Sequence, residues 1–296
     1  MLRLVRALAL LAIIGGAVFW GLTRPETLSP DDLAGLTGSA AKGEPIFWAA
    51  GCASCHMAQD ATGDAQLVLS GGQKFPSAFG TFLAPNISPD PEQGIGGWDL
   101  TAFANAITKG VGPDGQHLYP ALPYAAYNKM ALQDVADLKS FMDTLPHSAT
   151  PSQPHDLAFP FTLRRGLGLW KRLFVTTDWV VSGNLTEPQT RGRYIAEAMA
   201  HCGECHTPRN PIGGLKRDLW LSGAPDPSGK GTIPNITPGK LTWSTDEIVE
   251  YLTTGFTPEF DSVGGHMVHV VENIARLPET DRQAVAAYLK QVTAIP

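Results

Sequence analysis

The chain has 296 residues, 43% of them hydrophobic, with a formal net charge of −6 at pH 7, which is ordinary globular composition and long enough for two compact units. An acidic balance with no basic patch excludes nucleic acid as a partner, because nothing is there to neutralise phosphates. The 24 prolines and 31 glycines predict long loops between few regular elements.

The N-terminus reads MLRLVRALALLAIIGGAVFWGLTRP, with an uncharged run from Ala7 to Thr23 between Arg6 and Arg24. As a helix the run spans about 25 Å, slightly short of a hydrocarbon core of about 30 Å; Leu2, Leu4 and Val5 extend it if the arginines snorkel. No small-x-small cleavage pattern follows, and Trp20 suits a membrane interface, so residues 1–24 are expected to be a signal anchor that stays in place. Arg3 and Arg6 ahead of the run put the N-terminus in the cytoplasm. The rest of the chain is then periplasmic, held by a single pass through a bacterial cytoplasmic (inner) membrane.

The remainder is a repeat. CASCH (Cys52 to His56) returns as CGECH (Cys202 to His206), and these hold all four cysteines of the chain. LSGG from Leu69 answers LSGA from Leu221, PNISP from Pro85 answers PNITP from Pro234, and Trp98 answers Trp243. Each tryptophan opens a stretch with helical apolar spacing that ends at a glycine, Gly110 or Gly255. Helices are predicted before each signature (GEPIFWAAGC, RGRYIAEAMAHC) and at the end of each half (LQDVADLKSFM, TDRQAVAAYLKQV). Almost nothing alternates with strand period, so the fold class is expected to be all-α, with domains at 38–147 and 189–296. Residues 148–188 join them: a proline-rich start, then Arg164, Arg165, Lys171 and Arg172 among aromatic residues. A basic aromatic stretch can lie on a membrane surface, but the plainer expectation is a connector packed against both domains.

In Cys-x-x-Cys-His two thiols add to the vinyl groups of a haem and the adjacent histidine reaches the iron. A thioredoxin-like dithiol would need a βαβ context, and a zinc site would need thiols gathered from both repeats. Two signatures in an exported chain therefore predict two covalent haems c, on Cys52 and Cys55 and on Cys202 and Cys205, with His56 and His206 on the irons. Each domain is then of the class I cytochrome c type.

For the sixth position the candidates are Met57, Met130, Met142, Met199 and Met267. Met57 and Met199 lie beside a proximal signature and Met142 falls in a closing helix, whereas Met130 and Met267 each stand between the tryptophan helix and the closing helix. His266 and His269 keep a bis-histidine alternative open for the second iron. Weaker candidates are Arg209, Trp98 and Trp243 as propionate contacts, each with a plain surface or core role as its competitor. The asparagines of PNIS and PNIT are expected to shape turns.

YPALPYAAYNKMALQDVADLKSFMDTLP, HCGECHTPRN and GGHMVHVVENIARLPETDRQAVAAYL together resemble the membrane-anchored dihaem c-type cytochromes related to the cytochrome subunits of bacterial alcohol and sugar-acid dehydrogenases. The likeness runs from Gly43 to Leu289. It implies electron transfer, with His56 and Met130 on one iron and His206 and Met267 on the other. The dehydrogenase subunits typically carry three haems, so the partner dehydrogenase does not follow from the likeness; some relatives have methionine where Leu122 stands, a competing ligand position, whereas here Met130 is the only methionine in that loop. The expected function is a carrier between a dehydrogenase or quinol-oxidising complex and an acceptor such as a terminal oxidase. The alternatives are a dihaem peroxidase or thiosulfate-oxidising enzyme, which needs an open or differently ligated iron, and a dihaem subunit of a respiratory oxidase.

Overall fold

The structure is a computed structural model that describes every residue except Ser228 and Lys230. It opens with α1 (Leu2–Leu22), a 21-residue helix none of whose residues is buried. The first half follows: α2 (Ala40–Ala49), α3 (Cys52–His56), the hairpin β1 (Lys74–Ser77) and β2 (Gly80–Leu83), α4 (Leu100–Ala104), α5 (Tyr124–Tyr127) and α6 (Leu132–Met142). The connector holds β3 (Asp156–Leu157), which pairs with β2, and α7 (Leu167–Phe174). The second half has α8 (Glu187–Arg193), α9 (Gly203–His206), the short pair β4 (Ala224–Pro225) and β5 (Thr232–Ile233), α10 (Thr245–Thr254), α11 (Met267–Ile274) and α12 (Glu279–Leu289).

The predicted tryptophan helices have ends written in the sequence. Asp99 caps α4 by accepting from the Ala102 amide at 2.7 Å; Ser244 and Glu247 form a capping box on α10. Gly110 and Gly255 end the two stretches in the left-handed region, where a side chain would be strained. A short hairpin follows each glycine, closed by Leu118 N to Gly110 O and by Val263 N to Gly255 O, both 2.7 Å.

In each half the first and last helices cross at a glycine. A Cβ on Gly43 would lie 2.0 Å from the Asp137 carbonyl oxygen of α6, and one on Gly192 would lie 1.9 Å from the Ala284 carbonyl oxygen of α12. Only glycine lets the backbones approach this closely. Gly43 stands nine residues before Cys52 and Gly192 ten before Cys202. The extra residue is taken up by a π turn, Tyr194–Met199, which continues α8.

The all-α expectation needs a correction: the chain is mostly helical, at 44%, but carries a three-stranded and a two-stranded sheet. Pro76 in β1 removes a backbone donor and masks the strand signal. One apolar core runs through both halves. Polar contacts join them too: Asn273 Nδ2 donates to Ser54 Oγ at 2.8 Å, the Tyr194 hydroxyl donates to Asp134 at 2.5 Å, and the Arg276 guanidinium lies 3.9 Å from the Trp48 ring centroid.

Candidate functional site

Each signature makes a single helical turn entered through a left-handed residue. In the first half this is Gly51 at φ 66°; in the second it is His201 at φ 42°. The turn sets both thiols and the histidine of a signature on one short element. Burial pushes the thiols of Cys52 and Cys202 up to about 12. Such thiols are poor thiolates, which does not suit dithiol exchange. Among the described residues no three His, Cys, Asp or Glu side chains converge on a point where a bare metal ion would sit.

The imidazoles are oriented by the loops that the repeat had marked. Nδ1 of His56 bonds the Pro85 carbonyl oxygen at 2.8 Å, and Nδ1 of His206 bonds that of Pro234 at the same distance. A carbonyl accepts only, so the proton sits on Nδ1 and the Nε2 lone pair is free for a metal. Burial holds both rings below the usual histidine range, which keeps them neutral as a ligand must be. The carbonyls are themselves fixed. Asn86 Nδ2 donates to the carbonyls of Ser148 and Thr150, and Asn235 Nδ2 donates to that of Ile295, so each PNI loop is tied to the tail of its own half. Gly71 N to His56 O and Gly223 N to His206 O, both 2.7 Å, close the loops from the other side.

The same residues fit haem. The donor set is one neutral imidazole and two thiols per half. Ile87 and Ile236, two residues after the carbonyls that bond the imidazoles, are half-exposed, as are Trp98 and Trp243 at equivalent places of the repeat, leaving apolar surface for a macrocycle. Met130 is buried just ahead of α6, and Met267 is half-buried as the first residue of α11. Met57, Met142 and Met199 are buried. Of the alternative ligands, His269 is paired with Glu272 at 3.2 Å. Arg209 is exposed and bonds Glu204 within the second signature and the Gly213 carbonyl at 2.8 Å.

The two signatures adjoin. Cys55 and Cys205 are near enough to interact electrostatically. Between them the Ala50 carbonyl accepts from the buried Tyr127 hydroxyl at 2.7 Å, and the Tyr127 ring meets that of His201 edge-on at 5.6 Å. Sequence reasoning passed over Tyr127 and His201, since a tyrosine in a tyrosine-rich loop and a histidine next to a cysteine carry no spacing signal.

The family model for cytochrome c matches residues 40–146. A dihaem c-type cytochrome of Cereibacter sphaeroides is 55% identical over 99% of this chain and 98% of its own length. The fructose dehydrogenase cytochrome subunit of Gluconobacter japonicus is 34% identical over 92% of this chain, which spans 56% of that subunit. The cytochrome c subunit of the quinone alcohol dehydrogenase of Gluconobacter oxydans is 31% identical over 86%, and the chain spans 55% of it. With two signatures, two oriented imidazoles and these likenesses, the chain belongs to the dihaem c-type cytochromes and carries two covalently bound haems c.

Proposed function

We propose that the chain is a membrane-anchored electron carrier built from two tandem class I cytochrome c domains, 38–147 and 189–296, on the periplasmic face of the inner membrane. The iron ligands are His56 and Met130 in the first domain and His206 and Met267 in the second. When bound, each haem takes up and releases one electron at its iron. The protein's part is to hold imidazoles neutral and aimed, to offer a buried Met130 and a half-buried Met267, and to keep the two signatures adjacent so that electrons pass between domains. Donor and acceptor are other proteins: a dehydrogenase or quinol-oxidising complex on one side, a cytochrome or a terminal oxidase on the other.

The observation that carries the histidine ligands is the matched pair of Nδ1-to-proline carbonyl bonds, one per domain, each leaving one nitrogen for iron; the methionines rest on their matched places ahead of the closing helices. The anchor reading is supported by Thr23, which follows α1 and is fully buried against the connector. A segment destined for removal has no reason to be built into the domain. The dehydrogenase partner is supported by relatives named as dehydrogenase subunits.

Met130→Ala and Met267→Ala test the ligands. Each is expected to remove the sulfur-to-iron charge-transfer band of one haem, to lower that haem's potential, and to leave the other unchanged. Unaltered spectra and titrations in both variants would refute the assignment. Mass spectrometry of the membrane-extracted protein checks the anchor, and co-purification from native membranes identifies the partner.

A further inference from the structure

A helix end leaves its last carbonyls without partners. At the end of α1 these are taken by basic residues from other parts of the chain. Arg165 Nη2 donates to the Trp20 carbonyl at 2.7 Å, Arg172 Nε to that of Leu22 at 2.6 Å, and His117 Nε2 to that of Thr23 at 2.8 Å. Arg165 also donates to Thr23 Oγ1 at 2.8 Å and stacks 3.9 Å from the Trp20 ring centroid. Behind it α7 touches the chain so closely that a Cβ on Gly168 would stand 2.7 Å from Thr23 Cα. Cations on a helix C-terminus are favourably placed against its dipole. The end of the apolar helix is therefore bonded directly to the connector.

The two other basic residues of this stretch are also bonded to the protein. Arg164 donates to the His117 carbonyl at 3.2 Å, and Lys171 caps the end of the Trp98 helix through the Lys109 and Gly110 carbonyls at 2.7 and 2.6 Å. Outward the segment presents mostly carbon, with Arg172 the one exposed cation among residues 159–173. Leu163 is 60% exposed and Leu173 69%, with Phe159, Phe161 and Leu169 exposed beside them. Leu169 and Leu173 continue, at helical spacing, the face that begins at Arg165, the residue stacked on Trp20.

Length fixes where this face lies. The 21 residues of α1 span about 31 Å, the thickness of a hydrocarbon core of about 30 Å, so a crossing helix has no turns to spare. Leu22 is then at the boundary and whatever bonds its carbonyl is at headgroup depth. We propose that residues 159–173 form a membrane-surface collar: Phe159, Phe161, Leu163, Leu169 and Leu173 sit in the lipid interface next to the anchor and fix the tilt of the two haem domains over the bilayer. This rests on residues 1–24 remaining as an anchor. The occupant is lipid acyl chain and glycerol region rather than anionic headgroup, because the segment's basic residues are engaged by the protein itself.

The test uses full-length holoprotein in phosphatidylethanolamine/phosphatidylglycerol nanodiscs. All four native cysteines are held as thioethers, so an added cysteine is the sole target of a water-soluble, membrane-impermeant maleimide, read by mass spectrometry. Leu163→Cys and Leu173→Cys are compared with Phe260→Cys, a position 88% exposed in the second domain. Protein exposure alone predicts similar rates at all three. The collar predicts that the first two react about tenfold more slowly or less. Equal rates, with Ile13→Cys in α1 unreactive, would overturn the collar and leave the anchor standing. Should Ile13→Cys react at the aqueous rate, or be missing from the purified chain, the anchor reading fails and the collar with it.

Discussion

The two halves share a scaffold and differ in what they pack behind it. Where α2 crosses α6, Phe47 and Phe141 pack with ring centroids 5.2 Å apart. At the matching crossing of α8 and α12 the same two places hold Glu197 and Tyr288. The Glu197 carboxylate is buried and accepts from the Val180 and Val181 amides at 2.7 and 3.0 Å and from the Tyr288 hydroxyl at 2.8 Å. Tyr288 in turn accepts from Trp220 Nε1 at 2.9 Å, and the Trp220 ring presses on Gly203 inside the second signature. The first half thus has an apolar aromatic pair where the second has a buried carboxylate chain that reaches its signature. Even with the matched iron ligands proposed above, the two haems need not then have identical potentials, since burial, hydrogen bonding and nearby charge all tune a haem.

The shared part is the first thing to break. Gly43→Ala and Gly192→Ala each drive a methyl group into a backbone carbonyl of the partner helix, at 2.0 and 1.9 Å. Backbone cannot rotate away as a side chain can, so each is expected to cost about 3 kcal/mol or more and to lower the yield of haem-loaded protein. Denaturant unfolding of the holoprotein measures it. Equal losses support one crossing used twice; a mild effect in one half would mean that its helices are free to slide.

Glu197→Gln addresses the part that differs. Glu197 is close enough to act electrostatically on Cys202. A unit charge felt over about 10 Å at an effective dielectric constant of about 20 is worth about 1.7 kcal/mol, on the order of 70 mV for one electron. Removing a negative charge disfavours the ferric state, so the second haem's potential should rise by that order while the first holds still. The new amide also turns a donor towards a backbone N–H, at a stability cost of about 1–3 kcal/mol. A redox titration in which neither haem moves, or both move together, would strip the comparison of its electrostatic meaning.

A smaller asymmetry lies at the entry to each signature, where His201 stands in the left-handed region that Gly51 occupies in the first half. The conformation costs a non-glycine residue about 1–2 kcal/mol. Tyr127 against the His201 ring is the compensation the structure offers. The relaxed backbone and the lost ring contact, each worth about 1 kcal/mol, offset one another, so His201→Gly is expected to change stability by less than about 1 kcal/mol while weakening the redox interaction between the haems. A stabilised variant with unchanged interaction would show that the ring does nothing for the junction.

Most of the scaffold could be read from the chain because it is written in local signals: Asp99 and Ser244 as caps, Gly110 and Gly255 as stops, and apolar spacing within helices. The repeat also pointed to PNIS and PNIT, although their use, a proline carbonyl on an imidazole, is a contact between residues 28 or 29 apart that no periodicity encodes. Three features stayed hidden for the same reason. The π turn at Tyr194–Met199 shows only as one residue too many between Gly192 and Cys202. Glu197 looks like any surface glutamate on a helix until Tyr288 arrives from the far end of the domain. The arginines of the connector fit the expected packed connector, but what they pack on, the end of α1, lies at sequence separations above 140.

The weakest difference between the halves is in charge, and its effect is kinetic. Residues 24–150 contain 6 basic and 13 acidic residues, a net −7, whereas 191–296 contain 10 and 12, a net −2. Some first-domain acids are used internally: Asp137 is buried on the Ser39 amide, and Asp143 pairs with Lys139. Asp60 and Asp64 are exposed in the loop that follows the first signature. A basic redox partner drawn to that loop would arrive beside the first haem, and a field of one sign raises encounter rates by roughly 10- to 1000-fold at low salt. Screening at a Debye length of about 8 Å removes most of this at physiological ionic strength. The rate of electron exchange with the native partner should therefore fall with added salt, and Asp60→Asn with Asp64→Asn should flatten the dependence while leaving both potentials nearly unchanged. A rate that is level or climbs with ionic strength would take the first domain out of consideration as an electrostatic landing site, and a salt slope that survives the double substitution would move the site to another acidic surface.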